Sequence, residues 1–201
     1  MHVLLINGSP HEKGCTYTAL SLVAGELNAA GITTEILNVG TKPVGGCIGC
    51  GGCAKGNGCV FGGVVNEAIE KARTADAFVF GTPVHYASAS GNMTSFLDRL
   101  AYAGGKYLAY KPAAICASAR RAGTTSALDQ LVKYPEFFHM PLVSGSYWPM
   151  VHGSNPEQVL QDEEGCAVMK ELGRNMAWLL QCIEAGKAAG ISHPVSYTHL
   201  T

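Results

Sequence analysis

The sequence has little charge. Lys, Arg, Asp and Glu together make up 14% of 201 residues and the net charge is −1, so no general field attracts nucleic acid or an anionic membrane surface. It also has no basic stripe and no apolar run long enough to span a bilayer. Neither a nucleic-acid nor a membrane partner is expected. The apolar start, Val3 to Ile6, is too short for the h-region of a signal peptide, which makes the cytoplasm the expected location. No internal repeat or linker marks a second domain. One domain is expected over residues 1–191, followed by an aperiodic, non-core tail over 192–201.

Two residue types stand out: Gly, with 25, and Cys, with 8. Four of the cysteines, Cys47, Cys50, Cys53 and Cys59, crowd into a Gly-rich loop from Lys42 to Gly63 that has almost no apolar periodicity. In a cytosolic chain such a cluster points to metal or redox chemistry rather than a disulfide framework. Loops of this length in compact domains usually carry function. Cys116, Cys166 and Cys182 lie apart and are expected to be core thiols.

The apolar pattern alternates between two periods. Short apolar runs at Val3–Ile6, Thr33–Val39, Ala77–Phe80, Ala113–Ala117 and, more weakly, Met140–Val143 read as strands. Between them lie helical spacings: Leu20, Val23, Ala24 and Leu27; Val65, Ala68, Ile69 and Ala72; Met93, Phe96, Leu97 and Leu100. A further helix is expected from about Thr124 to Lys133, with Pro135 just past it. A long final helix should start near Pro156 behind an Asn155 N-cap, with Val168, Leu172, Met176, Leu179 and Ile183 as its core face. Continuous apolar strands alternating with helices imply a parallel sheet covered on both faces. The fold class is therefore α/β: a flavodoxin-like three-layer sandwich with a five-stranded parallel sheet of order 2-1-3-4-5.

In such a sheet the loops after strands one, three and four meet at one crevice. The first, Asn7 to Thr16, offers Ser9, His11, Cys15 and Thr16 at the start of a helix, where free N–H groups and the helix dipole favour a phosphate. The second offers Pro83, Val84, His85, Tyr86 and Ser88, an extended edge and an aromatic plane suited to a flat heterocycle. The third offers Ser118, Arg120 and Arg121, able to set a positive charge near a ring that becomes anionic. A flavin mononucleotide (FMN) needs these features together. A dinucleotide suits them less well, because the first loop has no G-x-G-x-x-G spacing and Glu35 is the lone candidate for a ribose partner.

The runs NGSPHEKGCTYTAL and ADAFVFGTPVHYASASGNMTSFLDRL resemble the phosphate loop and the central segment of NADPH-dependent FMN reductase-like, flavodoxin-fold proteins, and the resemblance spans roughly Met1 to Ile191. Cys47-x2-Cys50-x2-Cys53-x5-Cys59 is similar to the compact motif of the iron–sulfur flavoproteins. The resemblance implies FMN binding, redox exchange with NAD(P)H or quinone-like partners, and homodimers or homotetramers. It assigns phosphate ligation to Ser9 and Thr16, loop shape to Gly8 and Gly14, the isoalloxazine loop to Pro83, Val84 and Tyr86, and a more structural part to Asp98-Arg99. The chain departs from the pattern in four places. His11 stands where Arg is common, Cys15 replaces an Asn, His85 takes a Tyr position, and Met93-Thr94 replaces a Lys region.

The cysteine motif admits three readings. Four thiolates on a Gly-rich loop are able to wrap a [4Fe-4S] cluster that passes single electrons to a flavin. Metal-free thiols, exchanging with a disulfide, are the second reading. Zinc is the third, although its knuckles usually come as two separated pairs. The expected function is an FMN-dependent NAD(P)H oxidoreductase serving a small-molecule acceptor or a ferredoxin-like donor. Its competitors are a non-enzymatic flavin electron carrier or redox sensor, and a zinc domain with a vestigial phosphate loop.

Overall fold

The computed structural model describes residues 1–194, so the expected tail lies, from residue 195 onward, outside the described residues. Its first strand, β1 (His2–Asn7), is central and buried on both faces. Alternate side chains explain why: Val3 and Leu5 enter one core, Leu4 and Ile6 the other. Helix α1 (Cys15–Ala29) covers one face with Leu20, Val23, Ala24 and Leu27, as the spacing predicts. Strand β2 (Thr33–Asn38) pairs with β1 in parallel. After the cysteine loop, which holds one 3₁₀ turn at Gly52–Lys55, α2 (Val64–Thr74) buries Val65, Ala68, Ile69 and Ala72 on the other face.

Strand β3 (Ala77–His85) pairs with β1 on its other side. It runs past the expected Ala77–Phe80 run, through Gly81-Thr82-Pro83, to His85. It then folds back through a two-residue turn, Tyr86-Ala87, onto β4 (Ser88–Ala89), which pairs with it antiparallel. The expected open loop is thus a hairpin. Helix α3 (Gly91–Gly104) follows, then β5 (Ala113–Ala119), parallel to β3. Helix α4 (Thr124–Phe137) runs further than expected. Pro135 lies in its last turn, where it withholds one ladder N–H just before the helix ends at Phe137.

The fifth parallel strand is β6 (Met150–His152), paired with Ala117–Ala119. Met140–Val143 makes a single bridge, Ala113 to Leu142, because Pro141 supplies no donor and the chain leaves the edge after Val143. The parallel path is β2-β1-β3-β5-β6 with β4 off it, which is the expected order with the hairpin strand added.

Asn155 caps α5 (Pro156–Gln161) by accepting from the Gln158 N–H at 2.9 Å. The expected single final helix is two. Asp162 leaves the helical conformation, caps α6 (Glu163–Ala188) through the Gly165 N–H at 3.0 Å, and accepts from the His152 N–H at 2.7 Å. The buried stripe of α6 follows Val168, Leu172 and Met176 and continues to Leu180, a four-residue spacing that drifts around the helix, while Leu179 is half-buried. Helices α1 and α6 pack on one side of the sheet, and α2, α3 and α4 on the other. Among the described residues no helix is long and apolar enough to cross a membrane.

Candidate flavin cleft and cysteine cavity

Asn7, the last residue of β1, is fully buried and shapes the first loop. Its Oδ1 accepts from the Ser9 N–H at 3.1 Å, while its Nδ2 donates to Asn38 Oδ1 at 2.8 Å and to the Glu12 carbonyl at 3.2 Å. This closes the turn that the Asn-Gly-Ser-Pro run signals. Ser9 Oγ accepts from the His11 N–H at 3.1 Å, which leaves the hydroxyl proton of Ser9 to be donated elsewhere. Thr16 Oγ1 and Ser118 Oγ lie 2.8 Å apart with both side chains buried, joining the first loop to the third. Helix α1 begins at Gly14 with no side-chain cap and no acid in its first turn, so its leading N–H groups and dipole face the crevice without an internal anion.

Ser9, His11, Cys15, Thr16, Pro83, Val84, His85, Ser118 and Arg120 all line one cleft of about 290 Å³ at the carboxyl edge of the sheet. Its remaining wall is Ala119, Gly153 and Ser154. Gly153 and Ser154 follow β6 and were not foreseen, because the sequence reading set the fifth strand at Met140–Val143. Cys15 turns its Sγ to the Gly153 carbonyl at 3.5 Å, and burial pushes its thiol pKa up, with the Glu157 carboxylate adding to the rise. Tyr86 and Ser88 are not on this wall. The Tyr86 ring is fully exposed at the hairpin tip, and Ser88 Oγ donates to Gln130 Oε1 at 2.6 Å, pinning the hairpin to α4. Tyr86 and Ala87 have φ of 50° and 59°, the left-handed pair that a tight hairpin turn demands. Glu35, the candidate ribose partner, pairs instead with Lys71 at 2.7 Å.

Thr82 and Ser90 connect the hairpin base to the first loop, a bracing not foreseen. Thr82 Oγ1 accepts from the Ser90 N–H at 3.0 Å. Ser90 Oγ donates to the Gly8 carbonyl at 2.9 Å and caps α3 by accepting from the Met93 N–H at 3.3 Å. Met93, in the place of the usual Lys region, is buried directly beneath Gly8. Gly40 is packed so closely that a Cβ there would stand 2.4 Å from both the Gly8 and Ser9 carbonyl oxygens.

The cysteine loop forms a second cavity of about 250 Å³. Cys47, Cys50, Cys53 and Cys59 all line it, with Ile48, Val60, Phe61, Tyr102 and Arg99. Among the described residues no three Cys, His, Asp or Glu side chains stand close enough to hold a metal ion. What fits a cluster is the donor set, four thiols facing one cavity, the ligand number of a cubane. Cys59 is held most firmly. Asn66 accepts from its N–H at 2.8 Å and donates to its carbonyl at 3.0 Å, and Gly58, at φ 79°, leaves the Asn66 amide the room that a Cβ would take. Arg99, expected to be structural, reaches this cavity: its Nε donates to Cys59 Sγ at 3.2 Å. Its neighbour Asp98 accepts from the Tyr134 hydroxyl at 2.6 Å.

An iron-sulfur flavoprotein of Methanocaldococcus jannaschii is 26% identical over 192 residues, covering 92% of this chain and all of that protein. Another, from Archaeoglobus fulgidus, is 30% identical over 175 residues, covering 85% of this chain and 86% of its own length. Among solved structures, an NAD(P)H:quinone oxidoreductase from Methanothermobacter marburgensis superposes with a TM-score of 0.66 at 17% identity, over 88% of this chain and 98% of that one, a likeness of fold. The family model described as NADPH-dependent FMN reductase matches residues 1–155, and the chain belongs to that family.

Proposed function

We propose that this member of the FMN reductase family is an FMN-dependent NAD(P)H oxidoreductase acting on a flavin, quinone or similar small acceptor, with a [4Fe-4S] cluster at Cys47, Cys50, Cys53 and Cys59 as a second electron store. The observation that carries the flavin reading is the cleft itself. Three buried hydroxyls, an uncapped helix start, an extended proline-bearing edge and an arginine come together there from loops far apart in sequence. Bound FMN would supply the exchange between two-electron and one-electron chemistry. Ser9 and Thr16 would donate to the phosphate, with His11 beside it. The Pro83–His85 edge would hold the ring system, and Arg120 would favour its anionic reduced form. Tyr86, outside the cleft wall at the hairpin tip, would cover an exposed ring face in this reading.

The cysteine assignment is supported by the shared cavity and by the relatives, both named iron-sulfur flavoproteins. Ile48, Val60, Phe61 and Tyr102 are exposed apolar side chains around that cavity. They favour, as a second reading, a carrier that exchanges electrons with a ferredoxin-like protein, and they offer a contact surface for a homodimer or homotetramer.

Purification without oxygen, followed by a visible spectrum and by iron and sulfide analysis, tests the cofactors. Flavin bands with a broad brown absorbance and stoichiometric iron and sulfide are expected. A colourless, zinc-bearing protein would overturn the reading. Oxidation of NAD(P)H in the presence of FMN and a quinone tests the activity, and no turnover beside rapid exchange with a reduced ferredoxin would leave the carrier in its place.

A further inference from the structure

Arg99 lies in the middle of α3 on its buried side, between Phe96 and Leu100, and is 7% exposed. Such a position normally excludes a guanidinium, because an unpaired buried charge is costly. Among the described residues no carboxylate lies within ion-pairing distance of it. All three of its nitrogens are directed at the cysteine loop instead. Nε donates to Cys59 Sγ at 3.2 Å, one terminal nitrogen to the Gly45 carbonyl at 3.3 Å and the other to the Gly62 carbonyl at 3.1 Å. The Phe61 ring lies 5.5 Å from its central carbon. One side chain therefore ties together the two ends of the loop, before Cys47 and after Cys59, and brings an otherwise uncompensated positive charge to the sulfur wall.

We propose that Arg99 is the charge partner of the cluster-binding cavity, and that through its hydrogen bond to the Cys59 sulfur it raises the reduction potential of an iron–sulfur cluster bound there. The inference rests on the iron–sulfur reading above. A cluster held by four thiolates is net negative and gains a further negative charge when one electron arrives from a ferredoxin-like or flavin donor. A fixed cation hydrogen-bonded to a ligand sulfur stabilises the reduced form more than the oxidised one. A zinc ion, which does not change charge, would take no such benefit. Arg99 is a positioning and tuning residue. It stands apart from the flavin cleft, whose lining does not include it.

The test is a redox titration followed by electron paramagnetic resonance on anaerobically reconstituted wild type, Arg99→Lys and Arg99→Gln, with iron, sulfide and FMN binding measured on each sample. Arg99→Gln is expected to bind FMN like wild type and to shift the cluster's reduction equilibrium about tenfold toward the oxidised form, about 59 mV for a one-electron couple. Arg99→Lys should keep most of the wild-type midpoint. Wild type without iron and sulfide overturns the cluster reading itself. A loaded Arg99→Gln protein with an unchanged midpoint overturns the role of Arg99 and leaves that reading intact. Should Arg99→Gln hold no iron, Arg99→Lys decides. Iron retained there supports the need for positive charge. Iron lost there as well overturns the proposal, because the charge would be present without its effect.

Discussion

The loop from Asn7 to Gly14 is braced every few residues by side chains, whereas the loop from Lys42 to Gly63 is shaped mostly by backbone. In the first, Asn7, Ser9, Thr16, Ser90 and Ser118 exchange hydrogen bonds across three loops. In the second, Gly49, Gly51, Gly56, Gly58, Gly62 and Gly63 adopt positive φ, and Cys59 alone among the four thiol residues is held through both backbone and side chain. The difference separates two ways of building a site. The cleft is preorganised and takes a ligand that fits it. The cysteine loop has one anchored sulfur, with Cys47 and Cys50 exposed, and a cluster held there, as proposed, would set its final form.

Four experiments break or sharpen that contrast. Gly40→Ala should do the most damage, since its Cβ would collide with two carbonyls of the braced loop. A loss of about 3 kcal/mol or more in urea denaturation is expected, together with loss of FMN binding. Thr16→Ala leaves the fold standing but removes a buried hydroxyl at the helix start. It should weaken FMN binding about 10- to 100-fold by flavin-fluorescence titration, the range for hydrogen bonds to charged groups. Asn66→Ala deletes both bonds to the Cys59 backbone. It should cost about 1–2 kcal/mol locally, seen as faster amide exchange at Cys59 and faster iron loss to a chelator, with FMN affinity unchanged.

The smallest effect contrasts loop thiols with a core thiol. Cys116 is wholly buried on β5, and desolvation pushes its pKa from 9.0 up to about 12. Unfolding would release its proton above pH 9, so its contribution is complete below that pH and is lost as pH rises from 9 toward 12. Cys116→Ala should remove about 1 kcal/mol of the stability decline between pH 8 and pH 10 in urea titrations. In the folded, iron-free protein, alkylation at pH 8 should reach the exposed Cys47, Cys50 and Cys182, and Cys116 only after unfolding.

Much of this architecture is legible in the sequence, because the apolar periods of β1, α1, α2, β3 and α3 coincide with the buried faces. β6 was missed because three residues, Met150 to His152, are too short to show a period, while Met140–Val143 imitates a strand that Pro141 prevents. The hairpin was hidden because Tyr86-Ala87 carries none of the usual Asn-Gly signal. Nine of the eleven residues foreseen for the flavin site share one cleft, since topology alone brings those loops together. Arg99 does carry a signal in the sequence, a charged residue three positions after Phe96 on an apolar helix stripe. Its target, forty residues earlier in the chain, is visible only in three dimensions.

Gly123, which opens α4 at φ 92°, lies so close beneath the hairpin that a Cβ there would meet the Ala87 Cα at 2.5 Å and the Val84 side chain at 2.9 Å. The turn bearing Tyr86 and the segment bearing Arg120 therefore share a single bearing surface. Anything that pushes the hairpin turn inward would therefore press it against the start of α4, three residues past Arg120, so the two crevice walls bear on each other at one glycine.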